Sequence, residues 1–453
     1  MRKRQQTLLA ITMTASVAVL AGCAGGGAET NEATFSDEPT GTLNAWGFDN
    51  ADEVGTSRLD YAEEQLSDVT VEIDATGFDA QKFTTRAASG QVPDVVQMDR
   101  QFVATYAAQD LIQPLDDCFS GNDVDPAERY YQSVVDDVTY DGNIWAVPQF
   151  YQPPAIMLNK RVMDAAGVTA DQIDTSQPEV LLEAATKMYQ ESGGNPAILG
   201  FDPVAVNQAG LWLLGYGGQL MDDEGVPALD TPENAQAIAY LKELMDAQGG
   251  YAKVKSFVDS FDVFGDANPY TADQVAAQVN PQWYVNVLTP YVEEVQIEAV
   301  PFRNQDGEPF TVASGTSFVI PVGAANPAAA CDWMLALTSQ EAWMAAGEAR
   351  AETIASTPGA INTGLFTGSP EADQAIREEF VTESGNAGFD QTIGTYYDVV
   401  SEGVSFGASP AGQEIQSELK NAVTSALLGD KTPEEALTDA QEASMRAYDQ
   451  AVG

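Results

Sequence analysis

The side chains able to do chemistry in this 453-residue chain form a narrow set. There is no histidine, which removes imidazole general bases, Ser-His-Asp triads, Cys-His dyads and nearly every zinc site. The cysteines are Cys23, Cys118 and Cys331, too few for a thiolate cluster. No Gly-x-Ser-x-Gly elbow, P-loop or Gly-x-Gly-x-x-Gly after a strand is present, and neither metal nor cofactor is implied. What remains is 68 acidic residues, with amides and aromatic rings set in short loops. Phe48-Asp49-Asn50 places a ring beside two polar groups, and Asp99-Arg100 joins a carboxylate to a guanidinium. Asn207, Gln208 and Trp212 precede Gly217-Gly218. Rings that cover C–H faces, beside planar groups that satisfy hydroxyls, suit a polyhydroxylated ligand. Two carboxylates flanking a cleft could instead hydrolyse a glycosidic bond, although no linear pattern selects a pair. Asp222-Asp223-Glu224-Gly225 lacks the alternate spacing of a calcium loop and reads as a solvated turn.

Alternating segments must hold those loops. Thr42 to Trp46 reads as a strand, Asp52 to Leu66 as a helix, and Val69 to Ile73 as a half-buried strand. Asp79 to Ser89 is helical and stops at Gly90; Asp94 to Met98 is a further short strand. This β-α-β-α-β order implies right-handed crossovers and a parallel sheet flanked by helices. Ligands bind beyond the carboxyl ends of such strands, which is where Phe48-Asp49-Asn50 and Asp99-Arg100 fall. Thr231-Pro232 and Thr432-Pro433-Glu434-Glu435 open helices with a cap and a proline in the first turn. Strand-like runs return at 295–300 and 311–322, and a helix follows Asn326-Pro327. Trp46, Trp145, Trp333 and Trp343 sit on strands or helix faces and read as core.

The N-terminus sets the compartment. Arg2, Lys3 and Arg4 precede an apolar run from Leu8 to Leu20, the layout of a secretory signal covering 1–22. Leu20-Ala21-Gly22-Cys23 resembles a bacterial lipobox, which implies cleavage before Cys23 and diacylglycerol on its thiol; the alternative is an ordinary signal and an incidental cysteine. Residues 23–40 are small, polar and acidic, a flexible tether. About 410 residues follow, too many for one core and natural for two lobes. The net charge is −48; without the three basic residues of the leader, 17 bases face 68 acids, leaving −51. That field opposes nucleic acid and anionic headgroups, and makes an anionic ligand less suitable. Outside the cytoplasm, Cys118 and Cys331 form one disulfide or remain two separate buried thiols.

Three stretches together resemble the carbohydrate-binding lipoproteins of ATP-driven importers, the group that includes maltose-binding protein. They are Gly90-Gln91-Val92-Pro93-Asp94-Val95-Val96, then Tyr140 to Pro148 with Asn159-Lys160, and Gly315 to Pro321 leading into Asn326 to Trp333. The family usually has a Gly-Pro-Trp-like turn where this chain has Asn280-Pro281-Gln282-Trp283. The resemblance implies an α/β, two-lobe periplasmic-binding-protein-like fold, each lobe a mostly parallel sheet flanked by helices, with ligand held in the cleft between lobes. It divides the body into 41–151 plus 294–337 as lobe one and 152–293 plus 338–453 as lobe two, which puts Cys118 and Cys331 in the same lobe. It adds Tyr151 and Gln152 at the first crossover, Gly315 on the returning strand, Trp283 as a stacking platform and Tyr397 as a late aromatic. The implied protein is a monomer that binds a neutral mono- or oligosaccharide without turning it over and delivers it to membrane permease subunits. It touches the membrane only through its lipid. A surface glycoside hydrolase and a binder of another polar solute are the alternatives.

Overall fold

The computed structural model describes residues 35, 38–48 and 51–453; Cys23, the leader, most of the tether, Asp49 and Asn50 lie outside the described residues. Two sheets carry the architecture. Their strands are β1 (Gly41–Trp46), β2 (Val69–Asp74), β3 (Val95–Asp99), β4 (Val147–Tyr151), β5 (Pro154–Asn159), β6 (Ala277–Pro281), β7 (Ile297–Val300) and β8 (Gly315–Val319). The first sheet runs β2-β1-β3-β8-β4 and the second β6-β5-β7.

Local chemistry explains the first half-sheet. Asp52 caps helix Glu53–Gln65 by accepting from Gly55 N at 2.8 Å, and Asp79 does the same for helix Ala80–Ser89 from Lys82 N at 2.6 Å. Gly90 ends the second helix at φ 67°, a left-handed conformation that costs glycine little. The chain therefore returns in the same direction each time, and β1 pairs in parallel with β2 and β3. β8 joins antiparallel to both β3 and β4.

The second sheet departs from the expected parallel order: β5 is antiparallel to both β6 and β7. Strand β5 begins where the chain leaves the first sheet at Tyr151, whereas β6 ends there, with Gln282 N donating to Pro153 O at 3.2 Å. β7 also runs back toward the first sheet. One strand leaving and two arriving at the same crossing are necessarily antiparallel.

Helices Gln340–Ser356 and Pro370–Phe380 complete the first-sheet side, since the former packs on both Glu53–Gln65 and the latter. The physical reason is apolar: Trp343, Ala346, Ala372 and Ile376 share a buried cluster with Val54 of the first helix. Helices Gly412–Leu428 and Pro433–Val452 pack on Pro232–Asp246, on the second-sheet side. Thr231 and Thr432 cap as expected, the latter in a complete capping box.

The first core is built around rings. Phe48 meets Phe318 at 6.0 Å and Trp333 edge-on at 5.7 Å between centroids. Cys118 and Cys331 are joined in a disulfide with Cα atoms 5.8 Å apart, tying helix Pro327–Leu337 after β8 to the short helix Asp116–Gly121 before β4. Arg58 is fully buried beneath the Trp343 ring, 3.9 Å from its centroid, and donates to Gln149 Oε1 at 2.9 Å. Desolvation lowers its pKa to about 9, opposed by the charge of Asp52. Trp46, Trp333 and Trp343 are buried, and Trp145 is half-buried with Nε1 on Tyr140 O. Among the described residues no helix is long and apolar enough to cross a membrane.

Candidate functional site

A cleft of about 240 Å³ opens at the carboxyl end of β3. One wall is Asp99, Arg100, Gln101 and Ala104; its floor is Asp137, Gln152 and Ala313-Ser314-Gly315. Opposite lie Met221, Phe406 to Ser409, and Gly412 and Gln416 at the start of helix Gly412–Leu428. Elements of both sheets' sides therefore face each other across the space, with the crossing strands beneath.

Arg100 organises the floor. Only 2% exposed, it donates from Nη1 to Phe150 O at 2.9 Å and Thr316 O at 3.1 Å, and from Nη2 to Ala313 O. Its Nε lies 3.3 Å from Asp137 Oδ2, and Asp137 also accepts from Ser405 Oγ at 2.6 Å. One guanidinium thus ties the end of β3 to β4, to β8 and to Ala313 just before β8. Burial pushes the Asp137 carboxyl up to about 6, with Arg100 and Ser405 pulling the other way. Burial also lowers the Arg100 pKa, against the charge of Asp137. Gly315 is required by this packing: a Cβ there would meet Phe150 O at 2.0 Å and the Arg100 guanidinium at 2.6 Å.

Asp99 ends β3 and stands exposed on the wall, without a hydrogen bond or ion pair to its carboxylate among the described residues. Desolvation raises its pKa, opposed by Arg100 and Lys420. The carboxamides of Gln101, Gln152 and Gln416 are likewise without intramolecular partners among the described residues. The cleft offers donors and acceptors suited to hydroxyls, a patch of Phe406 and Met221, and one unmatched carboxylate. Among the described residues no group of three or more His, Cys, Asp or Glu could hold a metal ion.

Of the residues singled out in the sequence, Asp99, Arg100, Gln152 and Gly315 line this cleft. Tyr151 is wholly buried beneath it, edge-on to Tyr131. Phe48 and Trp212, expected as ligand contacts, are core residues instead. Phe48 fills the space between β8 and helix Pro327–Leu337; Trp212 packs on Phe201, Tyr240 and Phe302, with Nε1 donating to Pro203 O at 2.9 Å. Tyr397 is also interior, 4.5 Å from Phe366 between ring centroids, under the Arg377 guanidinium. Asn207 is exposed and Gln208 half-buried before helix Ala209–Gly215, and neither lines the cleft. Trp283 is half-buried, stacked at 6.0 Å on Phe264, which is 71% exposed. Asp49, Asn50 and Cys23 lie outside the described residues. Asp222 closes its turn by accepting from Glu224 N and Val226 N at 2.9 Å.

Besides Gln101 next to Arg100, sequence reasoning missed Asp137, Ser314, Phe406, Ser409 and Gln416. Asp137 sits on a helix with no pattern of its own. The last four are separated from β3 by more than two hundred residues, and only the fold brings them together.

Two lobes joined by crossing strands, with a polar cleft at the strand ends, define a solute-binding architecture of the periplasmic-binding-protein kind. CpMnBP1, solved with mannotriose, shares it at a TM-score of 0.71 and 19% identity, covering 89% of this chain and 99% of that one. The GacH receptor of Streptomyces glaucescens, solved unliganded and with acarbose, matches at 0.66 and 18%, covering 90% and 99%. UgpB from Mycobacterium tuberculosis, bound to glycerophosphocholine, matches at 0.66 and 16%, covering 91% and 100%. No curated protein matches the chain. Residues 59–374 match the bacterial extracellular solute-binding protein family, and the chain belongs to that family.

Proposed function

We propose that this chain is the extracytoplasmic capture component of an ATP-driven importer, holding a mono- or oligosaccharide without negative charge in the cleft and delivering it to the permease. The observation that carries the reading is the cleft itself: free carboxamides and a free carboxylate at the end of β3, facing helix Gly412–Leu428. Ligand contact on both sides would favour the closed arrangement, which the permease then recognises. The sugar ligands of CpMnBP1 and GacH support the cargo class. The glycerophosphocholine of UgpB fits less well: its ammonium end suits Asp99, but its phosphate finds no free cation, because Arg100 is committed to Asp137 and three carbonyls.

In this reading the protein binds without catalysis, works as a monomer and is held at the membrane by lipid on Cys23. Lobe one comprises 41–151 and 294–337 joined by 338–380; lobe two comprises 152–293 and 381–453. Calorimetry against a panel of mono- and oligosaccharides, with chromatography of the same mixtures, tests the proposal. Binding without turnover supports it; hydrolysis of any panel member, or no binding to any, rejects it.

A further inference from the structure

We propose that the preferred cargo is an amino sugar, its protonated amine seated on Asp99 and its hydroxyls on the carboxamides of Gln101, Gln152 and Gln416. This deepens the sugar-binding reading and rests on it, replacing the neutral sugar expected from the sequence with a cationic one. Three charged residues line the cleft, and two of them are already matched. The Arg100 guanidinium is committed through all three nitrogens, to Asp137 and to the carbonyls of Phe150, Thr316 and Ala313. Asp137 is answered by Arg100 and Ser405. Asp99 alone has no counter-charge in contact; Arg100 and Lys420 act on it only from beyond hydrogen-bond distance.

A ligand filling the cleft strips water from that carboxylate, and a desolvated carboxylate is costly unless paired. A phosphate or carboxylate on the ligand would worsen the imbalance. A neutral polyol supplies hydroxyl donors but leaves the Asp99 carboxylate without a cation in contact. An ammonium cancels the charge and makes a charge-assisted bond about twice as strong as a neutral one. The −48 charge of the chain also enriches cations near the surface and speeds their capture. Phe406 offers an apolar face for the ring's C–H side.

The test uses matched pairs in gluco, galacto and manno series, as monosaccharides and β-linked disaccharides. Each amine, for example D-glucosamine, is compared with its neutral parent and its N-acetyl form by calorimetry on the whole mature chain. The expected result is that in the series that binds, the amine is held about tenfold or more tighter than its parent. The gap should narrow in 1 M salt and collapse in Asp99→Asn, whose folding is checked by circular dichroism. A neutral parent that binds as tightly as its amine overturns the inference and leaves the sugar-binding reading standing. Binding by no member of any series overturns both. Should Asp99→Asn fail to fold, the pairwise comparison in the unaltered protein still decides.

Discussion

Replacing Arg100 by Met keeps the length and removes the charge, so it isolates what the guanidinium does. Arg100 is 2% exposed and joins Asp137 to the carbonyls of Phe150, Ala313 and Thr316. Removing one partner of a buried pair typically costs about 3–5 kcal/mol, because the other charge is left behind. Cleft water can reach some of the freed carbonyls, which favours the lower end, about 3–4 kcal/mol. That is a large share of the roughly 5–15 kcal/mol that holds a typical domain. The loss should depend on pH. In the folded protein the Asp137 carboxyl lies at about 6, above its usual 3.8, so its ionised form opposes folding, and that opposition fades as pH falls from 6 toward 4. Without Arg100 the carboxyl rises further, and acidification relieves the variant more than the parent. Urea unfolding followed by tryptophan fluorescence at pH 8 and pH 5 should therefore give a smaller deficit at pH 5. Adding Asp137→Asn to the variant should recover part of the loss at pH 8. A deficit below about 1 kcal/mol, within the range of an exposed pair, or one equal at both pH values, would refute the assigned role.

Asp373 is 1% exposed and raised to about 7 by desolvation, with Thr367 and Tyr131 opposing. The folded carboxyl binds its proton more tightly than the unfolded one, so stability should fall as pH rises from about 4 to 7, and urea titrations of Asp373→Asn should show a flatter slope over that window. Cys118 and Cys331 close a loop with 213 residues of sequence separation, and their double replacement by Ser should lower unfolding free energy by about 2–5 kcal/mol while leaving sugar affinity unchanged. Trp212→Ala should cost about 3–5 kcal/mol in thermal and urea unfolding as a core truncation; a selective loss of binding at full stability would return it to the ligand. Trp283→Ala, by contrast, should weaken the best sugar about tenfold in calorimetry if the half-buried ring is a platform, and unchanged affinity would remove it from the site.

Much of the fold is written locally. Asp52, Asp79, Thr231 and Thr432 cap helices where their side chains can reach the first free N–H groups, and Gly90 stops one where a left-handed residue is needed. These decisions involve neighbours three or four residues apart and need no tertiary partner. The strand-end rule also works from sequence, because Asp99 and Arg100 sit one step beyond an apolar run that must lie in a sheet. Composition determined, unaided, that no imidazole chemistry is available and that the surface is strongly anionic.

Tertiary structure decided the rest. Whether a ring is platform or core depends on what lands on it: Phe48 and Trp212 have the composition of contact loops, yet Trp333 and Phe302 cover them. The cleft pairs Asp99 with Gln416 across 317 positions of sequence, a proximity no local pattern encodes. Helices Gln340–Ser356 and Pro370–Phe380 joined the first side because Trp343 and Ile376 found a shared apolar cluster with Val54. Hydrophobic burial is indifferent to chain distance, so the partner of an apolar face, unlike its cap, is known only once the whole chain has closed on itself.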